Sequence, residues 1–439
     1  MTPRSLRVSV FALFVLCSQL VIGWSAVGAD DATPAASPTA SPTAVEHWPS
    51  WIQLGPNDVI LARAIRAETC PQITIDGSSG AMNIRALPNA NHPNVVCETA
   101  VPPGSQSVTI DGQSMPQPVA DPQRIALIGD TGCRLKAPDA FQACNDPAQW
   151  PFATTAATSA RWDPDLVIHV GDYLYRESPC PADNAGCAGS PYGDTWDTWN
   201  ADFFQPATPL LAAAPWILVR GNHEDCTREG MGWFRYLDPM PMPTTCQPYT
   251  EPYALTIGNV RAVVLDVASA QDTTATPEVT AAYVPIFAKA LELAGDGPSW
   301  LLTHRPLWSI GADGSGKPIE WSTATYDQAG FSQKSAVWDL VVAGHVHMSQ
   351  LLWFTPESQR APQLIAGDGG TELDDMATGF FDGSNLGDED LVQGWRWQEF
   401  GFMTIQPVDT GFVAGVRLLN APSPATCLSV GPELACLPG

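Results

Sequence analysis

Short apolar runs, each stopped by a small residue and then by a side chain capable of chemistry, set the rhythm of this chain from residue 124 onward. Arg124-Ile125-Ala126-Leu127-Ile128 ends at Gly129-Asp130, and Leu166-Val167-Ile168-His169-Val170 ends at Gly171-Asp172. Trp216-Ile217-Leu218-Val219 leads into Gly221-Asn222-His223, and Trp300-Leu301-Leu302 into Thr303-His304. The run Val337-Trp338-Asp339-Leu340-Val341-Val342 precedes Gly344-His345-Val346-His347. Near-continuous apolar runs predict strands covered on both faces. Segments long enough for helices lie between the first three, one of them around 196–213, and Pro277 to Ala294 also predicts a helix. Tyr253 to Ile257 and Val260 to Val267 predict a hairpin turning at Gly258-Asn259, with later strands at 350–354, 363–366, 402–405 and 412–418. Strands alternating with crossovers predict an α/β domain whose functional groups sit at the strand ends.

Upstream the pattern differs. Residues 59–65, 73–75, 83–86 and 107–110 are short β-type runs separated by turn residues such as Asp76-Gly77 and Asp111-Gly112. They predict an all-β sandwich domain over 47–121, closed by Pro116, Pro118 and Pro122 and followed by the α/β domain over 122–420. Residues 421–439 read as a C-terminal tail. At the start, Arg4 and Arg7 precede an apolar run from Val8 to Ile22 and small residues up to Ala29, the layout of a secretory leader over 1–29. An Ala/Thr/Ser/Pro-rich stretch over 30–46 cannot bury a core and reads as a linker. No run is long and apolar enough to predict a membrane span. A secreted chain, extracellular or periplasmic, is therefore expected.

Composition sharpens this picture. Of eleven cysteines only Cys17 falls in the leader, and an exported chain favours disulfides for the other ten. Pairing neighbours gives Cys70–Cys97, Cys133–Cys144, Cys180–Cys187, Cys226–Cys246 and Cys427–Cys436, although spacing alone does not exclude other connectivities. Losing the leader takes the formal charge from −25 to −27, because the leader carries two arginines and no acid. That balance argues against a nucleic-acid-binding surface, and any phosphate must be held by local positive charge.

The strand ends deliver Asp130, Asp172, Asn222, His304, His345 and His347 to one edge of one sheet. Singly, each has an ordinary role as a turn former, cap or surface histidine. Together they are the donor set for two cations, which held about 3.5–4 Å apart need a shared anionic ligand. Asp172 is the best candidate for that bridge.

Gly129-Asp130-Thr131-Gly132, Gly171-Asp172-Tyr173-Leu174-Tyr175, Gly221-Asn222-His223-Glu224, Thr303-His304 and Gly344-His345-Val346-His347 stand in the order of the calcineurin-like metallophosphoesterases, which the chain resembles over roughly 122–410. More narrowly it resembles the purple acid phosphatases. The His that most calcineurin-like enzymes carry two residues after the first Asp is replaced by Gly132, and a Tyr stands three residues after the second Asp, at Tyr175. The resemblance implies an α+β sandwich with two central sheets flanked by helices. It implies two metal ions, Fe plus a divalent Zn, Mn or Fe. Asp130, Asp172, Tyr175 and His347 would hold the iron, and Asp172, Asn222, His304 and His345 the second ion. The implied activity is hydrolysis of phosphate monoesters by a hydroxide generated at the metals. A phosphodiesterase or nucleotidase on the same site is the nearest alternative, and a silent binding module a more distant one. His223 is expected to protonate the leaving group, with Glu224 either orienting it or capping a helix. His169 is expected to point away from the site by strand alternation. Asp266 and Asp368 are left as cleft or turn residues.

Overall fold

The computed structural model describes residues 48–438 apart from 139, 314, 409–410, 422–424 and 431–432. The expected leader and linker lie outside the described residues.

Three parallel strands, Ile125–Ile128, Leu166–His169 and Trp216–Leu218, form the middle of an eleven-stranded sheet. Gly401–Val408 and Gly411–Leu418 extend it on one side, antiparallel. A second sheet of eight strands has Val260–Leu265, Ser299–Thr303, Leu340–Ala343 and Gln363–Ala366 as its parallel centre. The apolar runs are continuous because both faces of each sheet are covered. Leu127, Ile168 and Ile217 pack against Leu302, Val342 and Leu364 between the sheets. Ala126, Ile128 and Val167 turn outward onto Phe152, Trp199, Phe203 and Phe204. Val263, Leu301 and Val341 turn outward on the opposite side, onto Tyr283, Ile286 and Phe287 of the helix Pro277–Ala294. Thr276 opens that helix by accepting a hydrogen bond from the Val279 N–H. The result is the expected α+β sandwich, two sheets flanked by helices.

The N-terminal region is β-rich, as expected, and its connectivity adds a detail. Ser50–Leu54, unforeseen in the sequence, pairs in parallel with Trp216–Leu218 and in antiparallel with Ile60–Arg66. With Val95–Val101 and Asn83–Ala86 it continues the central sheet. A separate four-stranded sheet built on Gln72–Ile75 and Val108–Ile110 supplies a second layer, and Ile52, Ala64, Ile73, Cys97, Val108 and Ile110 fill the space between. One β layer is therefore shared with the α/β part. The C-terminal segment is likewise strand, a hairpin of Ala425–Val430 and Glu433–Pro438 at the sheet edge.

All five neighbour-paired disulfides are present. One expected strand is shorter than its apolar run. Ser332–Val337 forms a 3-10 turn and the strand begins only at Leu340. Val337 is exposed while Trp338 packs into the core, so the run changes face before Asp339 bonds Ser299 through side chain and main chain.

Candidate metal centre

Three of the five strand ends that carry the candidate residues leave their sheets through strained backbone. Asp130, Asp172 and His345 have φ of 53°, 60° and 71°, in the left-handed region where a non-glycine residue is held only by its surroundings. Gly171, at φ 105°, lies so close to its neighbours that an added Cβ would stand 2.5 Å from His304 Nδ1. Gly344 is equally constrained, since a Cβ there would meet Asp130 Oδ2 at 2.6 Å.

These turns bring the side chains together. The Tyr175 hydroxyl donates to Asp172 Oδ2 at 2.6 Å and lies 3.1 Å from Asp130 Oδ1 and 2.8 Å from His347 Nε2. Asp172 Oδ2 is also 3.1 Å from His304 Nε2, which in turn is 2.9 Å from Asn222 Oδ1. Asp172, His304 and His345 each offer a ligand atom within 4.8 Å of the others. Asp172 thus stands between a Tyr175/Asp130/His347 group and an Asn222/His304/His345 group.

Main-chain carbonyls orient two of the imidazoles. His304 Nδ1 is 2.7 Å from the Val170 carbonyl and His347 Nδ1 is 2.8 Å from that of Glu372, so each ring keeps its Nε2 lone pair for the interior. His345 is turned the other way, its Nε2 lying 3.3 Å from Asp272 Oδ2. The two histidines of the His-x-His pair therefore face different partners. A left-handed turn at His345 lies between them.

Burial and crowding make this an unfavourable place for bare carboxylates. Burial and the adjacent Asp172 raise the Asp130 carboxyl well above its ordinary range. Burial opposes ionisation of Asp172 too, but His304, His223 and the hydrogen bond from Tyr175 outweigh it and hold Asp172 well below that range. Burial, then the charges of Asp172 and Asp130, keeps the Tyr175 phenol protonated far above its usual range. Burial lowers His345 and His347, favouring the neutral imidazoles that ligate metals. Oxygen and imidazole donors converging on a dry, mutually repelling carboxylate pair fit a site for two hard or borderline cations.

His223 and Glu224, adjacent in sequence, meet different partners. The His223 ring lies 3.7 Å from that of Tyr175, centroid to centroid, with its Nε2 3.9 Å from Asp172 Oδ2. Its Nδ1 is 2.5 Å from Glu177 Oε1. Glu177 is thus the acid in contact with His223 Nδ1, a close ion-pair approach without the alignment of a hydrogen bond, and sequence reasoning missed it, although it lies only five residues beyond Asp172. Burial works against the Glu177 carboxylate, but His223, Arg228 and Lys136 outweigh it and bring it down to about 2.

The expectation that Glu224 orients His223 is corrected. Its fully buried carboxylate accepts hydrogen bonds from the backbone N–H of Asp172, Tyr173, Leu174 and Gly221 at 3.1, 2.8, 3.2 and 3.0 Å. It fastens the loop after one strand to the loop after the next. Asp272, the partner of His345, was also missed, because it sits in an irregular loop with no local signature. His169 faces outward as alternation predicts, against Thr131 and Tyr173. Asp266 pairs with Arg220 and Asp368 with Ser349.

Comparison with known proteins gives the arrangement a family. The family model for calcineurin-like phosphoesterases matches residues 123–349, just over half of the 439. Purple acid phosphatase 23 of Arabidopsis thaliana is 27% identical over 138 residues, covering 29% of this chain and 26% of that protein. The chain thus matches about a quarter of that relative's length. Among solved structures, PhoD aligns over 88% of this chain and 91% of its own, with a TM-score of 0.56 and 11% identity. A purple acid phosphatase from yellow lupin (Lupinus luteus) seeds aligns over 84% of this chain and 72% of its own, with a TM-score of 0.53 and 15% identity. At these identities the two structures speak for the fold.

Proposed function

This chain belongs to the calcineurin-like phosphoesterases, metal-dependent enzymes with two-metal centres, and on that premise we propose that it is an exported phosphatase of purple acid phosphatase type acting on small phosphate monoesters. The observation that carries this reading is the Tyr175 hydroxyl held among Asp130, Asp172 and His347. A buried phenol in contact with two carboxylates and an imidazole has little reason to be there except as a hard ligand, and a phenolate suits ferric iron.

In this reading Asp130, Asp172, Tyr175 and His347 hold the iron. Asp172, Asn222, His304 and His345 hold a divalent ion, Zn, Mn or Fe. Bound at this position, the two ions supply charge stabilisation to the phosphoryl group and acidify water.

The chain's own residues do the rest. Glu177 fixes the His223 ring through Nδ1, so that Nε2 faces the site and can deliver a proton to the leaving-group oxygen. Glu224 keeps the Asp172 loop in register. Asp272 holds His345 in its rotamer. Export is supported by the five disulfides. Among the described residues no helix is long and apolar enough to cross a membrane.

The test is a paired assay of metal-replete protein on an aryl phosphate monoester and the corresponding diester. Preferential monoester turnover, abolished by a chelator and restored by metal, is expected. Faster diester turnover would move the assignment to a phosphodiesterase. No turnover of either would sink it.

A further inference from the structure

In the proposed reaction the metals hold the phosphoryl group, so discrimination among monoesters falls to whatever meets the organic group beyond it. A chain of formal charge −25 offers an anionic substrate little long-range attraction. Two arginines near the centre are already engaged, Arg305 with Asp272 at 2.6 Å and Arg228 with Glu177 at 3.2 Å. Apolar contact at the rim is a further source of affinity.

One aromatic ring reaches the centre from outside the two large sheets. Trp308–Ala312 and Pro318–Ser322 form a two-stranded hairpin that begins four residues after His304. Gln350 fixes its first strand, bonding the Ile310 N–H at 2.8 Å and the Ile310 carbonyl at 3.1 Å. Glu320 fixes the second by pairing with Arg360, whose guanidinium lies over the rings of Trp308 and Phe354, 4.4 and 3.8 Å from their centroids. Trp321 follows Glu320 in the strand, so its indole projects from the opposite face. There it lies over His345, with ring centroids 6.3 Å apart and planes inclined by 26°. His345 in turn meets His304 edge to face, at 5.2 Å. Trp321 thus covers the flank of the Asn222/His304/His345 half of the centre while remaining only half-buried itself.

The neighbouring position on that face is a glycine. Ser309 opposes Trp321 and Gly311 opposes Ile319, so these four residues share one face of the hairpin. The backbone does not require glycine at 311, because its φ lies outside the positive range. Crowding does not require it either. An added Cβ would meet only the Ile319 carbonyl and the Trp321 Cβ, both at 4.0 Å. The missing side chain leaves one flank of the indole bare.

We propose that Trp321 is a specificity residue that stacks on a planar aromatic leaving group, so that the site favours aryl over alkyl phosphate monoesters. The inference rests on the phosphatase reading and narrows its substrate class. An indole offers a broad, stiff apolar face, and offset stacking of a second ring adds to the area buried.

The experiment is calorimetric titration of phenylphosphonate and methylphosphonate into metal-loaded, full-length protein. Wild type is compared with Trp321→Ala, Trp321→Phe and Gly311→Leu. The phosphonate group is common to both probes, so the ratio of their affinities isolates the ring. Stacking predicts a phenyl-to-methyl ratio that falls by about 3- to 10-fold in Trp321→Ala and is largely kept in Trp321→Phe. Gly311→Leu leaves the tryptophan in place but fills its flank, and should lower the ratio as well. That variant also answers the question if Trp321→Ala misfolds or loses metal, which circular dichroism and elemental analysis report. Turnover of phenyl phosphate and of an alkyl phosphate is read in parallel. An unchanged affinity ratio in a well-folded, metal-replete Trp321→Ala or Gly311→Leu overturns the inference, as does a wild type that binds the two phosphonates equally. If the ratio falls as expected but no ester is cleaved, the phosphatase reading falls and the Trp321 assignment stands. If monoesters are cleaved while the ratio does not respond, the reverse holds.

Discussion

Replacing Glu224 by glutamine changes one atom, yet it should empty the metal centre. The Glu224 carboxylate accepts four backbone N–H groups, Oε2 taking those of Asp172 and Gly221 and Oε1 those of Tyr173 and Leu174. A glutamine has one acceptor oxygen, so two of these donors keep a partner and two face an NH2 group. Each buried N–H left without an acceptor costs roughly 1–3 kcal/mol, which makes the expected penalty about 2–6 kcal/mol. The penalty falls on the loops that present Asp172, Tyr175 and Asn222, and Asp172 is already held at a positive φ of 60°. The loops should therefore relax locally before the protein unfolds, because the sheets on either side carry the packing. The assay is metal content by elemental analysis after gel filtration, read beside turnover and far-ultraviolet circular dichroism. Glu224→Gln should keep the native spectrum, lose well over half its bound metal, and lose turnover in proportion. Full metal content with a selective fall in kcat would refute the reasoning. It would return Glu224 to the role of orienting His223.

Other expectations follow from the same geometry. His223→Ala should retain both metals while losing most turnover, about 100-fold for a lost proton donor, and near-wild-type turnover would remove that role. Glu177→Gln should reproduce part of that loss and displace the pH profile of kcat, without changing metal content; an unchanged profile would show that Nδ1 needs no carboxylate. Asp368 gives a stability signature of its own, because burial pushes its carboxyl up from 3.8 to about 7. The folded state then binds the extra proton, so this group's contribution to stability is full below about pH 4 and declines as pH rises toward about 7, by roughly 4 kcal/mol. Asp368→Asn should flatten that decline in denaturant titrations, and parallel pH curves for the two proteins would contradict it.

Where the sequence was legible, it was so because one short stretch decided the outcome. Ile125 to Ile128 and Leu166 to His169 are buried on both faces, so their apolar runs announce strands, and glycine followed by a ligand announces the strand end. The helix expected over Pro277 to Ala294 forms with those bounds, and the structure caps it with Thr276 and ends it at Gly295. What escaped was set by distant chain segments. Ser50–Leu54 is recognisable as part of the central sheet only through its pairing with Trp216–Leu218. Glu224 and Glu177 carry the same chemical group close to the same histidine. Only the three-dimensional arrangement shows that one binds backbone and the other the His223 ring. Asp272 reaches His345 across 73 positions of sequence, where no local pattern operates.

The central claim is that Tyr175 is a metal ligand in a mixed iron centre. The most direct test is the visible absorption spectrum of metal-replete wild-type protein and of Tyr175→Phe, each read beside its iron content. The account predicts a phenolate-to-ferric band in the wild type, with iron near one equivalent and a second metal present, and its disappearance in Tyr175→Phe. A colourless wild type holding two divalent ions, or a band that survives in Tyr175→Phe, would contradict it.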